Sequence, residues 1–252
     1  MITPDAVREG IERGEFFLEY LPTVALDDGR CVGAEALARW RRPTGLVPPG
    51  EFVPVIEDGP IAGLLTFWVM ETVEADIGEW LAAHPGCHVG INVPPIILGR
   101  GGVLYAAMKS GLHALRQQLV LEVTERGIPD RIGLEALESA SQQGIRIALD
   151  DVTLAGANLA ILSRCRAHII KLDRSLVSQI TAECPRPEWL AGFTELLRAT
   201  RMDVIAEGVE TAGQAAALRA AGINMAQGFH FSRPLAAEAL RAFHAERERT
   251  TR

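Results

Sequence analysis

Short apolar runs rich in β-branched residues recur along the chain, each bounded by turn residues or a charge, and segments with helical periodicity separate them. The pattern predicts strands over Phe16–Val24, Cys31–Leu37, His88–Val93, Leu119–Thr124, Ile145–Asp151, His168–Leu172, Asp203–Ala206 and Asn224–Phe229. It predicts helices over Ile61–Ala83, Ile132–Gln143, Glu188–Thr200 and Thr211–Ala221, with Gly144 and Gly222 placed where a helix ends on a left-handed residue. A short helix precedes the first strand, and a closing helix over Leu235–Ala245 is followed by a tail expected to fray. Asp27-Asp28-Gly29 is a hairpin signal, so the first two strands run antiparallel.

Alternating strands and helices imply a parallel sheet covered by helices, and eight strands suit a closed barrel better than an open sheet. No G-x-G-x-x-G turn follows an early strand, and Gly101-Gly102 lacks that context, which argues against a dinucleotide-binding fold. No linker rich in Pro, Gly or Ser divides the chain, so 1–252 reads as a single barrel domain.

Polar residues fall at the same end of most strands. Glu35 lies near the end of the second strand, Asn92 near the end of the third, and Glu122 interrupts Leu119-Val120-Leu121. Asp150-Asp151 end the fifth, Lys171 follows Ile169-Ile170, Glu207 follows Val204-Ile205-Ala206, and Gln227 follows Met225-Ala226. Any one alone reads as a solvated charge where a strand meets its loop. Together they do not, because charge in a strand buried on both faces is costly unless paired or metal-bound. In a barrel those ends converge on one mouth. Carboxylates and an amide oxygen gathered there call for cations, and an oxygen-only set favours Mg²⁺ or Mn²⁺ over zinc. Adjacent Asp150 and Asp151 could serve two ions, the arrangement suited to metal-assisted phosphodiester hydrolysis, with Lys171 beside the attacking water.

Composition narrows the classes further. Of 252 residues, 48% are hydrophobic, enough for a sizeable core, and no apolar stretch is long enough to span a bilayer. The N-terminus lacks the order of a signal peptide, so a soluble cytoplasmic protein is expected. The net charge of −7 argues against nucleic-acid binding, although ions loaded into an acidic pocket would still let it take a small anion. Cys31, Cys87, Cys165 and Cys184 are scattered and read as reduced thiols. The six histidines show no metal-ligand spacing, and the four tryptophans are too dispersed for a base-stacking platform.

At these same residues the sequence resembles the EAL family. Glu35-Ala36-Leu37 is followed by Ala38-Arg39-Trp40 and Arg42-Pro43, then by Pro48 and Glu51-Phe52-Val53-Pro54. Asn92, Glu122-Val123-Thr124-Glu125, Asp150-Asp151, Lys171-Leu172-Asp173, Ala206-Glu207-Gly208-Val209-Glu210-Thr211, Gln227-Gly228-Phe229 and Phe231-Ser232-Arg233-Pro234 complete the ordered set, over residues 16 to 240. The resemblance implies a TIM-like (β/α)8 barrel with one antiparallel strand. The activity it implies is hydrolysis of cyclic di-GMP to linear pGpG with Mg²⁺ or Mn²⁺ in a two-metal site. By resemblance, Glu35, Asn92, Glu122 and Asp150 hold one metal, and Asp150, Asp151 and Glu207 the second. Lys171, Glu207 and Asp151 carry catalysis, Leu37, Arg39 and Gln227 bind the substrate, with Arg39 on a phosphate and Gln227 also helping to order the site, and Glu125 anchors the loop after the aspartates. Homodimers and sensory or cyclase domains are the partners that the resemblance suggests.

Three positions depart from the family pattern. Val152-Thr153-Leu154-Ala155-Gly156-Ala157-Asn158-Leu159 stands where a glycine-containing F-G-T-G loop is usual, Leu21 replaces a glutamine, and Pro94 replaces a serine. None removes a metal ligand. Two classes therefore stay open: an active phosphodiesterase, and a cyclic di-GMP receptor or protein-interaction module that no longer hydrolyses. An unrelated metal hydrolase on the same fold fits the site residues less well.

Overall fold

The computed structural model describes residues 1–99, 102–124, 130–153, 167–199 and 202–250. Nine strands are described: β1 Phe16–Ala25, β2 Cys31–Arg42, β3 Gly45–Val47, β4 His88–Asn92, β5 Leu119–Thr124, β6 Arg146–Val152, β7 Ile169–Leu172, β8 Asp203–Ala206 and β9 Met225–Ala226. From β2 through β4 to β9, each neighbour pairs in parallel. β1 lies antiparallel to both β2 and β9 and closes the ring, while β3 is a flap on the far end of β2. The structure is thus a closed TIM-like barrel of eight strands, one of them antiparallel.

Closure makes the barrel interior a packed core. Val120, Ala148, Ile169, Ile205 and Met225, one from each of five adjacent strands, form its central layer. Two residues further along the chain stand Glu122, Asp150 and Lys171 within β5, β6 and β7, and Glu207 and Gln227 just past the ends of β8 and β9. A strand repeats its facing every second residue, so the apolar layer and the polar residues share the inward face, the polar ones lying nearer the C-terminal mouth. Intervening residues such as Leu121, Leu149, Ile170 and Val204 face outward into the larger core beneath the helices. Burial on both faces is why these strands read as nearly continuous apolar runs.

The described helices are α1 Pro4–Glu12, α2 Pro49–Ile56, α3 Pro60–Ala83, α4 Gly102–Ser110, α5 Arg131–Gln142, α6 Arg174–Val177, α7 Glu188–Ala199, α8 Ala212–Ala220 and α9 Ala237–Thr250. A satellite core of Val7, Phe16, Trp40, Phe52 and Ile56 ties α1 and α2 to the first hairpin. There the rings of Phe16 and Trp40 stack 5.2 Å apart, and the Trp40 indole N–H donates to Glu15 (2.8 Å). Among the described residues, no helix is long and apolar enough to cross a membrane.

Three expectations need correction. The last strand is Met225–Ala226 and not Asn224–Phe229. Asn224 instead uses its side-chain oxygen to accept from the Val204 N–H (2.8 Å), and at Gly228 (φ 150°) the backbone presses so close to Val209 that a Cβ would meet its carbonyl oxygen at 2.2 Å. β2 continues past Leu37 to Arg42 because β3 folds back to pair with it. The closing helix runs to Thr250 instead of fraying near Ala245, since Arg247 donates to the Gly29 carbonyl (3.0 Å) and Arg241 to that of Asp76 (2.6 Å).

Candidate functional site

The inward residues at the mouth converge on one atom. Lys171 Nζ, on a side chain only 1% exposed, lies 2.7 Å from Glu207, 2.8 Å from Glu122, and 3.0 Å from both Glu35 and Asp150. Those carboxylates belong to β2, β5, β6 and the residue after β8, so the contact set exists only when the barrel is closed. Asn92, at the end of β4, donates from Nδ2 to Glu35 (2.9 Å) and joins the same group.

Two backbone features make the convergence work. Gly90 pairs with Val120 across β4 and β5, and a Cβ there would sit 2.1 Å from Glu122 Oε1. Glycine thus clears the space that the Glu122 side chain occupies. The second feature concerns the paired aspartates. Adjacent residues of a regular strand point to opposite faces, which would send Asp151 away from the mouth. The β6–β7 register slips between Leu149 and Val152, and Asp151 takes a left-handed φ of 55°. This bulge brings both carboxylates to one side, where Asp150, Asp151 and Glu207 offer oxygens within 4.8 Å of one another. Glu35, Glu122 and Asp150 form a second group with the same spacing.

Gln227 lies at the mouth, where its Nε2 donates to Thr23 Oγ1 (2.9 Å) and its buried Oε1 has no hydrogen-bond partner among the described residues. Leu37 and Arg39 line a groove of about 370 Å³ beside the acidic group, with Ala36, Asn92, Pro94 and Phe52 among its other walls. Arg39 Nε donates to Glu19 (2.7 Å) and Nη1 to the Ala38 carbonyl (3.2 Å). Leu21 faces Glu35 across the first hairpin. Glu125 and Leu154–Asn158 of the altered loop lie outside the described residues. Sequence reasoning missed Gly90, Thr23 and Glu19. Each is signalled only by alternation: Gly90 stands two before Asn92, and Glu19 and Thr23 share the inward face of β1 with Leu21.

The electrostatics follow from one ammonium among many acids. Burial works against the charge on Lys171, but Asp150, Glu122, Glu207 and Glu35 outweigh it and hold the amine well above the ordinary lysine range. Burial first, then Glu35 and Asp150, raise Glu122 well above the carboxylate range against the pull of Lys171. Burial also lifts Glu207 to about 8, with Lys171 opposing and Asp150 and Glu35 adding to the rise. One lysine cannot balance the group, so the site retains protons until other cations arrive.

The EAL domain family model matches residues 5–234. The chain belongs to the EAL domain family. An uncharacterised protein of Mycobacterium tuberculosis is 34% identical over 93% of this chain. The bifunctional diguanylate cyclase/cyclic di-GMP phosphodiesterase MucR of Pseudomonas aeruginosa is 31% identical over 94% of it, and the probable cyclic di-GMP phosphodiesterase PdeB of Escherichia coli 30% over 92%. The EAL chain spans 39%, 35% and 45% of those three proteins, respectively. Among solved structures, a c-di-GMP complex of the MucR phosphodiesterase superposes with a TM-score of 0.82 at 29% identity, covering 94% of this chain and 98% of that one. The EAL enzyme Bd1971 bound to cAMP and cyclic di-GMP gives 0.83 at 27%, covering 95% and 68%.

Proposed function

We propose that this EAL domain is a phosphodiesterase that hydrolyses cyclic di-GMP to linear pGpG with Mg²⁺ or Mn²⁺ at the acidic mouth. The observation that carries this reading is the charge imbalance around Lys171. Fully ionised, Glu35, Glu122, Asp150, Asp151 and Glu207 would carry five negative charges against one positive charge on Lys171, leaving four that two divalent ions would neutralise. The donors are all oxygen, as hard cations require, and the acids kept protonated in the absence of metal are those that ions would displace protons from.

Glu35, Asn92, Glu122 and Asp150 would hold one ion, and Asp150, Asp151 and Glu207 the other. When bound, the pair supplies an acidified water and charge stabilisation at phosphorus. Lys171 holds a fixed positive charge beside that water, locked by its carboxylates. Arg39, steadied by Glu19, turns its remaining N–H groups to a phosphate of the ligand, and Leu37 forms part of the groove wall that takes the rest of the nucleotide. Gln227 orders the mouth through Thr23. Water adds to one phosphodiester phosphorus, the P–O3′ bond breaks, and the departing 3′ oxygen gains a proton.

We read 1–252 as one such domain, working in the cytoplasm, with a homodimer and sensory or cyclase modules as its partners. The deciding experiment incubates the protein with cyclic di-GMP and Mn²⁺ or Mg²⁺ and follows pGpG by chromatography, with Glu35→Ala as control. Metal-dependent product lost in the control is the expected result. Binding without product would assign the mouth to a receptor, the reading that the altered loop after Asp151 favours.

A further inference from the structure

The end of the barrel away from the mouth carries a different set of ligands. His84 caps the C-terminus of α3, just before β4 begins, and His244 lies on α9. They are far apart in sequence, and no motif spacing links them. In the fold their rings sit 4.4 Å apart between centroids, inclined at 71°. Glu248 follows His244 by one helical turn, so both side chains share a face of α9, with His244 Nε2 3.9 Å from Glu248 Oε1. One ligand atom from each of the three residues falls within 4.8 Å of the others.

The surroundings suit imidazole ligation. His84 Nδ1 lies 2.7 Å from the Trp80 carbonyl, which can only accept, so Nδ1 carries a proton and the neutral ring has its lone pair on Nε2. A ring N–H fixed on a backbone carbonyl is the usual support of a metal-bound histidine. Trp80 packs against both rings, 5.5 Å from His84 and 5.3 Å from His244, and limits their rotation. A cation here also meets the negative end of the 24-residue α3.

We propose that His84, His244 and Glu248 form a second metal site, of the Zn²⁺ class, that clips α9 to the end of α3. Two imidazoles and a carboxylate select Zn²⁺ or a similar transition ion, whereas the oxygen-only mouth selects Mg²⁺ or Mn²⁺. Tetrahedral ligation at about 2.0–2.2 Å needs donors about 3.3 Å apart. The half-exposed Glu248 side chain supplies the inward movement. Water completes the shell.

The test uses the full chain, stripped of metal, with excess Mg²⁺ added to occupy the mouth, and Co²⁺ as the probe. One equivalent of Co²⁺ should bind with the intense visible bands of four-coordinate cobalt, be displaced by Zn²⁺, and persist in Glu122→Gln. His84→Gln and Glu248→Gln should each weaken Co²⁺ binding at least tenfold, and Zn²⁺ should raise the Tm of the unaltered protein but not of His84→Gln. Glu248 is exposed, so its variant keeps the fold intact and the comparison interpretable. The same Co²⁺ affinity and spectrum in both variants as in the unaltered protein would overturn the site.

Discussion

Lys171 Nζ lies 2.7 Å from Glu207 Oε1, joining β7 to the residue that follows β8 at the centre of the acidic mouth. The same ammonium serves Glu35, Glu122 and Asp150, so its removal strands four buried or half-buried carboxylates at once. Breaking a buried ion pair from one side costs about 3–5 kcal/mol. Lys171→Met should therefore destabilise the metal-free protein by about that much in urea titrations, with partial recovery on adding Mn²⁺. A variant as stable as the parent would show that the carboxylates are discharged without the lysine.

Acidity at the mouth gives a pH dependence of definite sign. The Glu207 carboxyl ordinarily titrates at 4.5 and is lifted to about 8 in the fold, so the folded state holds its proton more tightly. Its stabilising contribution is complete below 4.5 and is lost as pH rises through about 8. In chelator, Tm should fall between about pH 6 and about pH 9. Saturating Mn²⁺ should flatten that slope, because ions replace the protons. A Tm that rises over this interval in chelator would contradict the assignment.

Gly90 tests the placement of Glu122 without touching a charge. A methyl group there meets Glu122 Oε1 at 2.1 Å, while Gly90 is not among the residues with left-handed backbone. Gly90→Ala should leave secondary structure unchanged and weaken Mn²⁺ binding by about 10–100-fold, the usual effect of disturbing a ligand's support. Calorimetric titration decides this; undiminished affinity means that Glu122 is not a ligand.

Arg39 is held by Glu19 at its Nε and by the Ala38 carbonyl at Nη1, and it lines the groove beside the mouth. Lysine keeps the charge but loses the fork of donors. Arg39→Lys should raise KM for cyclic di-GMP by about tenfold, equivalent to about 1.4 kcal/mol, with kcat little changed. A fall in kcat at constant KM would place Arg39 in the chemical step instead.

Most of the mouth is legible in the sequence. Asn92, Glu122, Asp150, Lys171 and Glu207 each mark a polar residue at or near the end of an apolar strand, Glu35 interrupts the apolar first half of β2, and alternation along β5 to β9 fixes which residues there face inward. The barrel follows from the same pattern, because strands apolar on both faces need helices outside and one another inside. Asp151 was not settled this way, since strict alternation sends it outward; only the slip in β6–β7 pairing and its left-handed backbone turn it back.

What the sequence by itself determined, then, was a closed α/β barrel and the residues of its acidic mouth, because both depend on periodicity within single strands. Tertiary structure alone decided that four carboxylates share one ammonium, that Gly90 makes room for Glu122, and that His84 meets His244. These are contacts between strands or helices distant along the chain, and no local repeat encodes the distance across a closed ring.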